Sequence, residues 1–157
     1  MYPVYYKEDI RASASSYEIE THLIAAIIRS ESNYRTGLES KKGALGIMQI
    51  MPSTANWIAE KAGFKGVTED MLLHRTDVSI EMGSWYLNSL LQQFNNNNIA
   101  AIAAYNGGPG NVRKWLDSGA WDGKLDSAAQ IPFGETRHYV QKVIYYYNKY
   151  KELYPEL

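Results

Sequence analysis

Hydrophobic residues recur every three or four positions along most of this chain, which is the spacing of one buried face on an α-helix. The pattern predicts helices over residues 5–17, 18–32, 53–63, 77–94, 99–105, 109–116 and 134–154, with one further turn at 69–73. Residues 118–131 have no clear period and are predicted to be irregular. Because no stretch alternates as a half-buried strand does, the sequence predicts an all-α fold.

Length and composition are those of a soluble globular protein and predict one domain over residues 1–157. The chain has 157 residues, of which 45% are hydrophobic and 21% charged. The formal net charge of −1 argues against nucleic acid as a partner, since binding to phosphates needs a basic surplus. The 13 tyrosines and 4 tryptophans offer flat rings with polar tips, a composition that suits sugar rings. No run is apolar enough to predict a membrane span, and the first residues lack the pattern of a signal peptide.

Several kinds of chemistry are disfavoured by the residues present. The chain has no cysteine, so neither a thiol nucleophile nor a disulfide is expected. His22, His74 and His138 are far apart in sequence, and we expect neither a metal site nor a cofactor. No Gly-x-Ser-x-Gly motif supports a serine nucleophile. The glycines at 107–110 follow a predicted helix and lack a Lys-Ser/Thr pair, so they indicate a tight turn rather than a phosphate loop.

One carboxylate has an unusual position. Leu23, Ile24, Ile27 and Ile28 form an apolar stripe, and Glu31 falls on the same face of the predicted helix. Burial and the negative end of the helix dipole both raise the pKa of a carboxyl group, as a general acid requires. From this stretch alone, an ordinary glutamate that turns outward where the stripe ends is the more frequent case.

Five segments, in order along the chain, indicate a family. They are Glu31-Ser32-Asn33-Tyr34; Ser40 with Gly43-Ala44-Leu45-Gly46-Ile47-Met48-Gln49-Ile50-Met51-Pro52-Ser53-Thr54-Ala55; Gly83 with Tyr86-Leu87; Ala103-Ala104-Tyr105-Asn106-Gly107-Gly108-Pro109-Gly110; and Ile131-Pro132-Phe133-Gly134-Glu135-Thr136-Arg137-His138-Tyr139-Val140. Together they resemble the catalytic domain of the soluble-type lytic transglycosylases, over residues 2–147. The resemblance implies a goose-type lysozyme-like domain with a substrate groove.

The resemblance also implies a role for particular residues. Glu31 matches the single catalytic acid/base of the family. The positions that match substrate-binding or cleft residues are Ser40, Gln49, Met51, Tyr105, Asn106, Glu135 and Tyr139. Two positions depart from the family pattern, since Gly108 stands where alanine is commoner and Glu39 precedes Ser40.

The implied reaction cleaves the β-1,4 bond between MurNAc and GlcNAc in peptidoglycan without water, leaving 1,6-anhydroMurNAc ends. Glycosidases usually need two carboxylates, whereas here the substrate's N-acetyl and C6 hydroxyl groups replace the second. If Glu31 is the acid, we expect its pKa to be about 6, which is typical of a catalytic carboxyl group in an apolar pocket. The substrate implies a location in the cell envelope or outside the cell.

Two other functions fit the sequence, as do simpler roles for several residues. A hydrolytic muramidase of the same fold would use Glu39 or Asp77 to place a water molecule. In a non-catalytic glycan-binding module of an envelope assembly, Glu31 would have no catalytic role.

Several of the matched residues also suit simpler structural roles. Met51 and Tyr139 suit the core, and Asn106 suits a turn. Glu135 also suits the first turn of a helix, paired with Arg137 or Lys142.

Overall fold

The computed structural model describes residues 1–157. Its regular secondary structure consists of helices, with no β-strand. Glu39 and Leu45, and Leu45 and Ile50, form isolated bridges only. The helices are α1 (Lys7–Tyr17), α2 (Thr21–Ser32), α3 (Pro52–Ala62), α4 (Glu69–His74), α5 (Thr76–Gln93), α6 (Asn98–Gly107), α7 (Pro109–Ser118), a 3₁₀ helix (Leu125–Gln130) and α8 (Gly134–Leu153). The prediction of an all-α fold is confirmed. None of the helices is both long and apolar enough to cross a bilayer.

The chain forms two compact units. Unit 1 comprises residues 1–86 and 146–157, and unit 2 comprises residues 87–145. Both α5 and α8 contribute residues to each unit. That residues 1–157 act as one domain remains a prediction.

Five predicted helix starts are wrong by one to three residues, and three of these differences have a backbone reason. Helix α1 begins at Lys7 rather than residue 5, because Tyr6 has a left-handed backbone with φ of 58°. Glu18 is also left-handed (φ 54°), so it separates α1 from α2, which begins at Thr21. Helix α3 begins at Pro52, whose fixed φ suits the first helical position. Hydrophobic periodicity does not report backbone conformations of this kind.

The core of unit 1 is built on α2. Its residues from Leu23 to Ile28 are almost completely buried, as the apolar stripe predicts. Tyr34 follows α2 and is also buried, with its hydroxyl 3.3 Å from the Ala25 carbonyl oxygen and 3.4 Å from the Tyr150 hydroxyl. Burial, followed by the hydrogen bond to Tyr150, raises the pKa of Tyr34 well above its usual range.

This raised pKa predicts how stability depends on alkaline pH. The folded-state pKa of Tyr34 lies above the unfolded value of about 10, so its contribution is complete below that pH and is lost as the pH rises further. We expect the free energy of unfolding to fall from about pH 10 upward. Urea denaturation at a series of pH values measures this decline. Tyr34→Phe should make it shallower, and an unchanged slope in that variant would contradict the assignment.

Unit 2 is organised around α6, whose residues from Ala100 to Ala104 are fully buried. Asn97 caps this helix, because its Oδ1 accepts hydrogen bonds from the backbone N–H groups of Ile99 and Ala100 at 3.0 and 3.1 Å. Its Nδ2 donates to the Gly123 carbonyl at 3.1 Å. One side chain therefore both starts α6 and holds the segment that follows α7.

The prediction that residues 118–131 are irregular is wrong for Leu125–Gln130, which form the 3₁₀ helix. Asp122 organises its start. One carboxylate oxygen accepts from the Lys124 N–H at 3.0 Å and the other from the Ser127 hydroxyl at 3.1 Å. These hydrogen bonds lower the pKa of Asp122. Side-chain hydrogen bonds of this kind leave no hydrophobic period, so periodicity does not predict this helix.

Candidate active site

Glu31 lies in the last turn of α2, where the buried stripe meets the surface. Ile24, Ile27 and Ile28 are completely buried, and Glu31, on the same face, is half-buried. Helix α2 ends one residue later, because Asn33 is left-handed (φ 53°) and donates its N–H to the Arg29 carbonyl at 3.1 Å. The predicted position of Glu31 at the end of an apolar stripe is confirmed.

The backbone around this helix end is strained. Asn33 and Tyr34 both have positive φ (53° and 63°), as does Gln49 (φ 50°) on the neighbouring loop. A positive φ is unfavourable for residues other than glycine, above all for a bulky one such as Tyr34. Tyr6, Glu18, Asn95 and Asn96 have the same left-handed conformation, so these φ angles shape the loop but do not by themselves indicate a site.

Ser32 connects the end of α2 to the loop at residues 46–50. It is buried, and its hydroxyl oxygen lies 2.8 Å from the Ile47 carbonyl oxygen and 3.2 Å from that of Ile28. No role of its own was predicted for Ser32. A small polar residue on a helix directly after the candidate acid was the available signal. Ser32 fixes the position of this loop relative to Glu31.

Gln49 shapes the same loop. Its side-chain amide Nε2 donates to the carbonyl oxygens of Leu38 at 3.0 Å and Gly46 at 2.8 Å. Both amide protons are thus used within the protein, and the Oε1 oxygen is the part of this side chain that remains for a ligand. Gln49 therefore supports the loop, and any contact with a saccharide uses it as an acceptor.

A substitution at Gln49 tests this supporting role. Gln49→Glu keeps the size of the side chain but replaces two donors by an oxygen that faces two carbonyls. We expect a loss of about 2 kcal/mol in the free energy of unfolding, since half-buried acceptors lose their partners. Urea denaturation measures the change. Equal stability of variant and wild type would show that the two hydrogen bonds are not significant for the loop.

Ser40 and Met51 lie at either end of the segment that carries Gln49. The Ser40 hydroxyl oxygen accepts from the Ala44 N–H at 2.9 Å, which closes the turn at residues 40–44. Met51 directly precedes α3 and is 37% exposed. This exposure places Met51 at the surface of unit 1, where a ligand can contact it.

The other predicted residues lie in unit 2, near the first turn of α8. Asn106 bridges two helices, because its Oδ1 accepts from the Thr136 hydroxyl at 2.8 Å and its Nδ2 lies 3.4 Å from a Glu135 carboxylate oxygen. Tyr105 is half-buried and Tyr139 is buried. The structure thus brings Asn106 and Glu135 together, and Asn106 lies within α6 rather than in a turn.

Thr136 and Gly107 make this bridge possible, and no role was predicted for either residue. A Cβ atom at Gly107 would lie 2.8 Å from the Thr136 hydroxyl oxygen, so only glycine allows α6 and α8 to approach this closely. Arg137, considered above as a partner for Glu135, donates instead to the Ile131 carbonyl through Nε at 3.1 Å and Nη2 at 2.9 Å. Arg137 is therefore engaged with the backbone rather than with Glu135.

Asp77, considered above as a second carboxylate, is engaged in an ion pair. Arg75 donates to both its oxygens, at 2.7 and 3.2 Å, and this hydrogen-bonded pairing lowers the pKa of Asp77. No three His, Asp or Glu side chains come together in a geometry that could hold a metal ion.

A match to a protein-family model identifies the family of this chain. The model for the transglycosylase SLT domain matches residues 8–127. The chain belongs to the transglycosylase SLT domain family. The resemblance noted from the five segments is confirmed.

Known proteins agree with this SLT assignment. The soluble lytic murein transglycosylase of Escherichia coli K12 is 39% identical over 148 residues, which cover 92% of this chain. The crystal structure of the 70 kDa soluble lytic transglycosylase of Escherichia coli superposes with a TM-score of 0.91 at 37% identity, over 97% of this chain. An inactive glutamate-to-glutamine variant of the lytic transglycosylase Slt from Pseudomonas aeruginosa superposes with a TM-score of 0.88 at 35% identity, over 97% of this chain. The lysozyme-like fold expected for the SLT domain is confirmed.

This SLT domain matches only part of each relative. It spans 23% of the Escherichia coli soluble lytic murein transglycosylase sequence and 25% of each of the two solved chains. The 70 kDa enzyme has also been solved in complex with bulgecin A, and that structure has a TM-score of 0.90 against this chain.

Proposed function

We propose that this SLT domain is a lytic transglycosylase that cleaves the MurNAc–GlcNAc bond of peptidoglycan and leaves 1,6-anhydroMurNAc ends. The observation that carries the proposal is the half-buried Glu31 at the end of a fully buried apolar stripe, within a chain of this family. The names of the relatives, which are murein transglycosylases, support the substrate.

In the proposed reaction, Glu31 acts first as acid and then as base. Its protonated carboxyl donates a proton to the oxygen between C1 of MurNAc and C4 of GlcNAc, and the C1–O bond breaks. The N-acetyl group of MurNAc stabilises the electron-poor C1. The C6 hydroxyl of the same sugar then attacks C1, and its proton returns to the Glu31 carboxylate. Because ring closure supplies the nucleophile, one carboxyl group is sufficient and no water is consumed.

Further residues of each unit are proposed to bind the saccharide. In unit 1, the Ser40 hydroxyl can donate to the sugar, Gln49 Oε1 can accept from it, and the exposed part of Met51 contacts a sugar face. In unit 2, Tyr105, Asn106, Glu135 and Tyr139 match family motifs. The bridge between Asn106 and Glu135 orients both groups, which supports a role in substrate binding for that pair.

The state of the other acidic candidates favours ring closure over hydrolysis. Asp77 is held by Arg75 in a two-point ion pair, so using it to place a water molecule would disrupt that pair. Glu39 is exposed, and its backbone pairs with Leu45. A water-activating base must be held opposite the acid, across the scissile bond, whereas the contact that holds Glu39 is made by its backbone.

A cell-envelope location follows from the proposed substrate. Other relatives are named membrane-bound lytic murein transglycosylase C, and the one from Haemophilus ducreyi is 35% identical over 117 residues. We propose that this chain acts where peptidoglycan is, without a cofactor.

Product mass tests the proposal. Digestion of purified peptidoglycan should yield muropeptides that are lighter by one water than those from a hydrolytic muramidase. Reducing ends instead of anhydro ends would support the hydrolytic alternative. If peptidoglycan is bound but never cleaved, the non-catalytic module gains support.

A further inference from the structure

Three aromatic residues of unit 1 form a partly exposed cluster that the proposed reaction does not use. Trp57 on α3 packs edge-to-face against Trp85 on α5, with ring centroids 5.8 Å apart, and against Tyr86 at 6.2 Å. Trp57 is 38% exposed, and Trp85 is partly exposed. We call Trp57, Trp85 and Tyr86 the aromatic platform.

The contacts within the platform hold the Trp57 ring in place. Tyr86 is largely buried, and this burial raises its pKa to about 12. The ring of Tyr86 is therefore a fixed support beneath Trp57. A rigid indole that already faces solvent loses little conformational freedom when a ligand stacks on it, which is why such rings dominate binding surfaces.

The aromatic platform adjoins the loop that carries Gln49 and Met51. Gly83 of α5 packs directly on this loop, since a Cβ atom there would lie 2.5 Å from the Met48 sulfur. Tyr86 lies on the same face of α5, one turn further along, or about 5 Å along the helix axis. A polymer bound at the loop thus reaches the aromatic platform within a short distance.

Hydrogen-bond acceptors lie on the other side of the aromatic platform. Asp77, Glu81 and Trp85 occupy successive turns of one face of α5. Asp77 and Glu81 line a polar pocket of about 230 Å³, together with Asp9, Ser13 and Ser16. Asp77 is paired with Arg75, and Glu81 accepts a hydrogen bond from the Tyr17 hydroxyl at 2.9 Å. Each carboxylate oxygen can accept a further hydrogen bond, so the pocket suits the hydroxyl groups of a sugar.

We propose that the aromatic platform is an additional glycan-binding site, which holds N-acetylglucosamine units of the strand by stacking on Trp57 and Trp85. The inference rests on the proposed function, because the occupant is a further stretch of the same polymer. Binding at two points on one strand raises the effective concentration of the strand at the domain.

The four tryptophans of the chain provide a test with internal controls. The Glu31→Gln variant, labelled with nitrogen-15, is titrated with the tetramer of β-1,4-linked N-acetylglucosamine, and the indole N–H signals are followed by NMR. The signals of Trp57 and Trp85 should move until saturation. Trp121 is completely buried, so its signal should stay in place and report an intact fold. Unmoved Trp57 and Trp85 signals at several millimolar tetramer would overturn the proposal.

Substitutions add a second readout, which is binding to insoluble peptidoglycan in the same Glu31→Gln background. Trp57→Ala should weaken binding about tenfold, the loss expected when a central aromatic anchor is truncated. Trp57→Tyr keeps a flat ring and should retain most of the affinity. Tyr145→Ala removes an exposed ring elsewhere on the chain and is the matched control. Equal binding by Trp57→Ala and the parent would overturn the proposal.

The two hypotheses fail in different ways. Binding in the Glu31→Gln background requires no cleavage, so a positive platform result stands even if Glu31 proves dispensable for activity. Conversely, if Glu31→Gln loses activity but the NMR signal of Trp57 does not move with the tetramer, only the glycan-binding role of the aromatic platform is rejected.

Discussion

Replacing Glu31 by glutamine is expected to reduce the release of soluble muropeptides from peptidoglycan by about a thousandfold or more. The amide has the size of the carboxyl but neither donates an acidic proton nor takes one back. Because Glu31 lies at the end of α2, with its apolar neighbours unchanged, the free energy of unfolding should stay within about 1 kcal/mol of the wild type. Turbidity clearing and muropeptide release measure the activity, and urea denaturation measures the stability.

Glu39→Gln is the matched control for this substitution. It makes the same chemical change at an exposed carboxylate of unit 1, eight positions later in the chain. We expect it to retain nearly full activity. If Glu39→Gln loses as much activity as Glu31→Gln, a second carboxylate participates and the single-acid mechanism is wrong.

Gly46→Ala should have the largest effect on stability. A Cβ atom at this position would lie 2.1 Å from the Leu72 carbonyl oxygen, and φ is +75°. The obstacle is backbone, so the loop or α4 must move. We expect a loss of about 3 kcal/mol or more in the free energy of unfolding, measured by urea denaturation. The same displacement would shift Gln49, which donates to the Gly46 carbonyl, and so reduce activity.

Gly43→Ala is the control that distinguishes the steric cost of an added Cβ atom from the conformational cost of a positive φ. Gly43 also has a positive φ (+95°), but a Cβ atom there meets nothing within 4 Å. Only the conformational cost of about 1 kcal/mol applies. If the two variants lose equal stability, the close approach of Gly46 to Leu72 is not what selects glycine at this position.

The sequence predicted the helices because burial follows the helical period in most of them. The stripe from Leu23 to Ile28, the long helix that begins near Asp77, and the last helix from Gly134 are found where the pattern placed them, within a residue or two. Fold class and the position of Glu31 follow from this signal and from the family motifs.

Hydrogen bonds from polar side chains to the backbone could not be predicted from the hydrophobic period. The 3₁₀ helix depends on Asp122, and the start of α6 depends on Asn97, because single polar atoms in these side chains satisfy backbone groups. Gln49 is predicted to bind a saccharide, and its amide also donates to the carbonyls of Leu38 and Gly46. The identity of a polar residue in a motif does not tell whether its side chain contacts the substrate or the backbone. Only the structure distinguishes the two roles.

Cleavage in water enriched in a heavy oxygen isotope tests whether the new muramyl end forms by ring closure, with Glu31 as the acid and base. Peptidoglycan is digested by wild-type protein in this water, and the masses of the new muramyl ends are measured. We predict ends that are lighter by one water and carry no heavy oxygen, and no such ends from Glu31→Gln. Heavy oxygen at the new ends would show that water is the nucleophile and would contradict the mechanism.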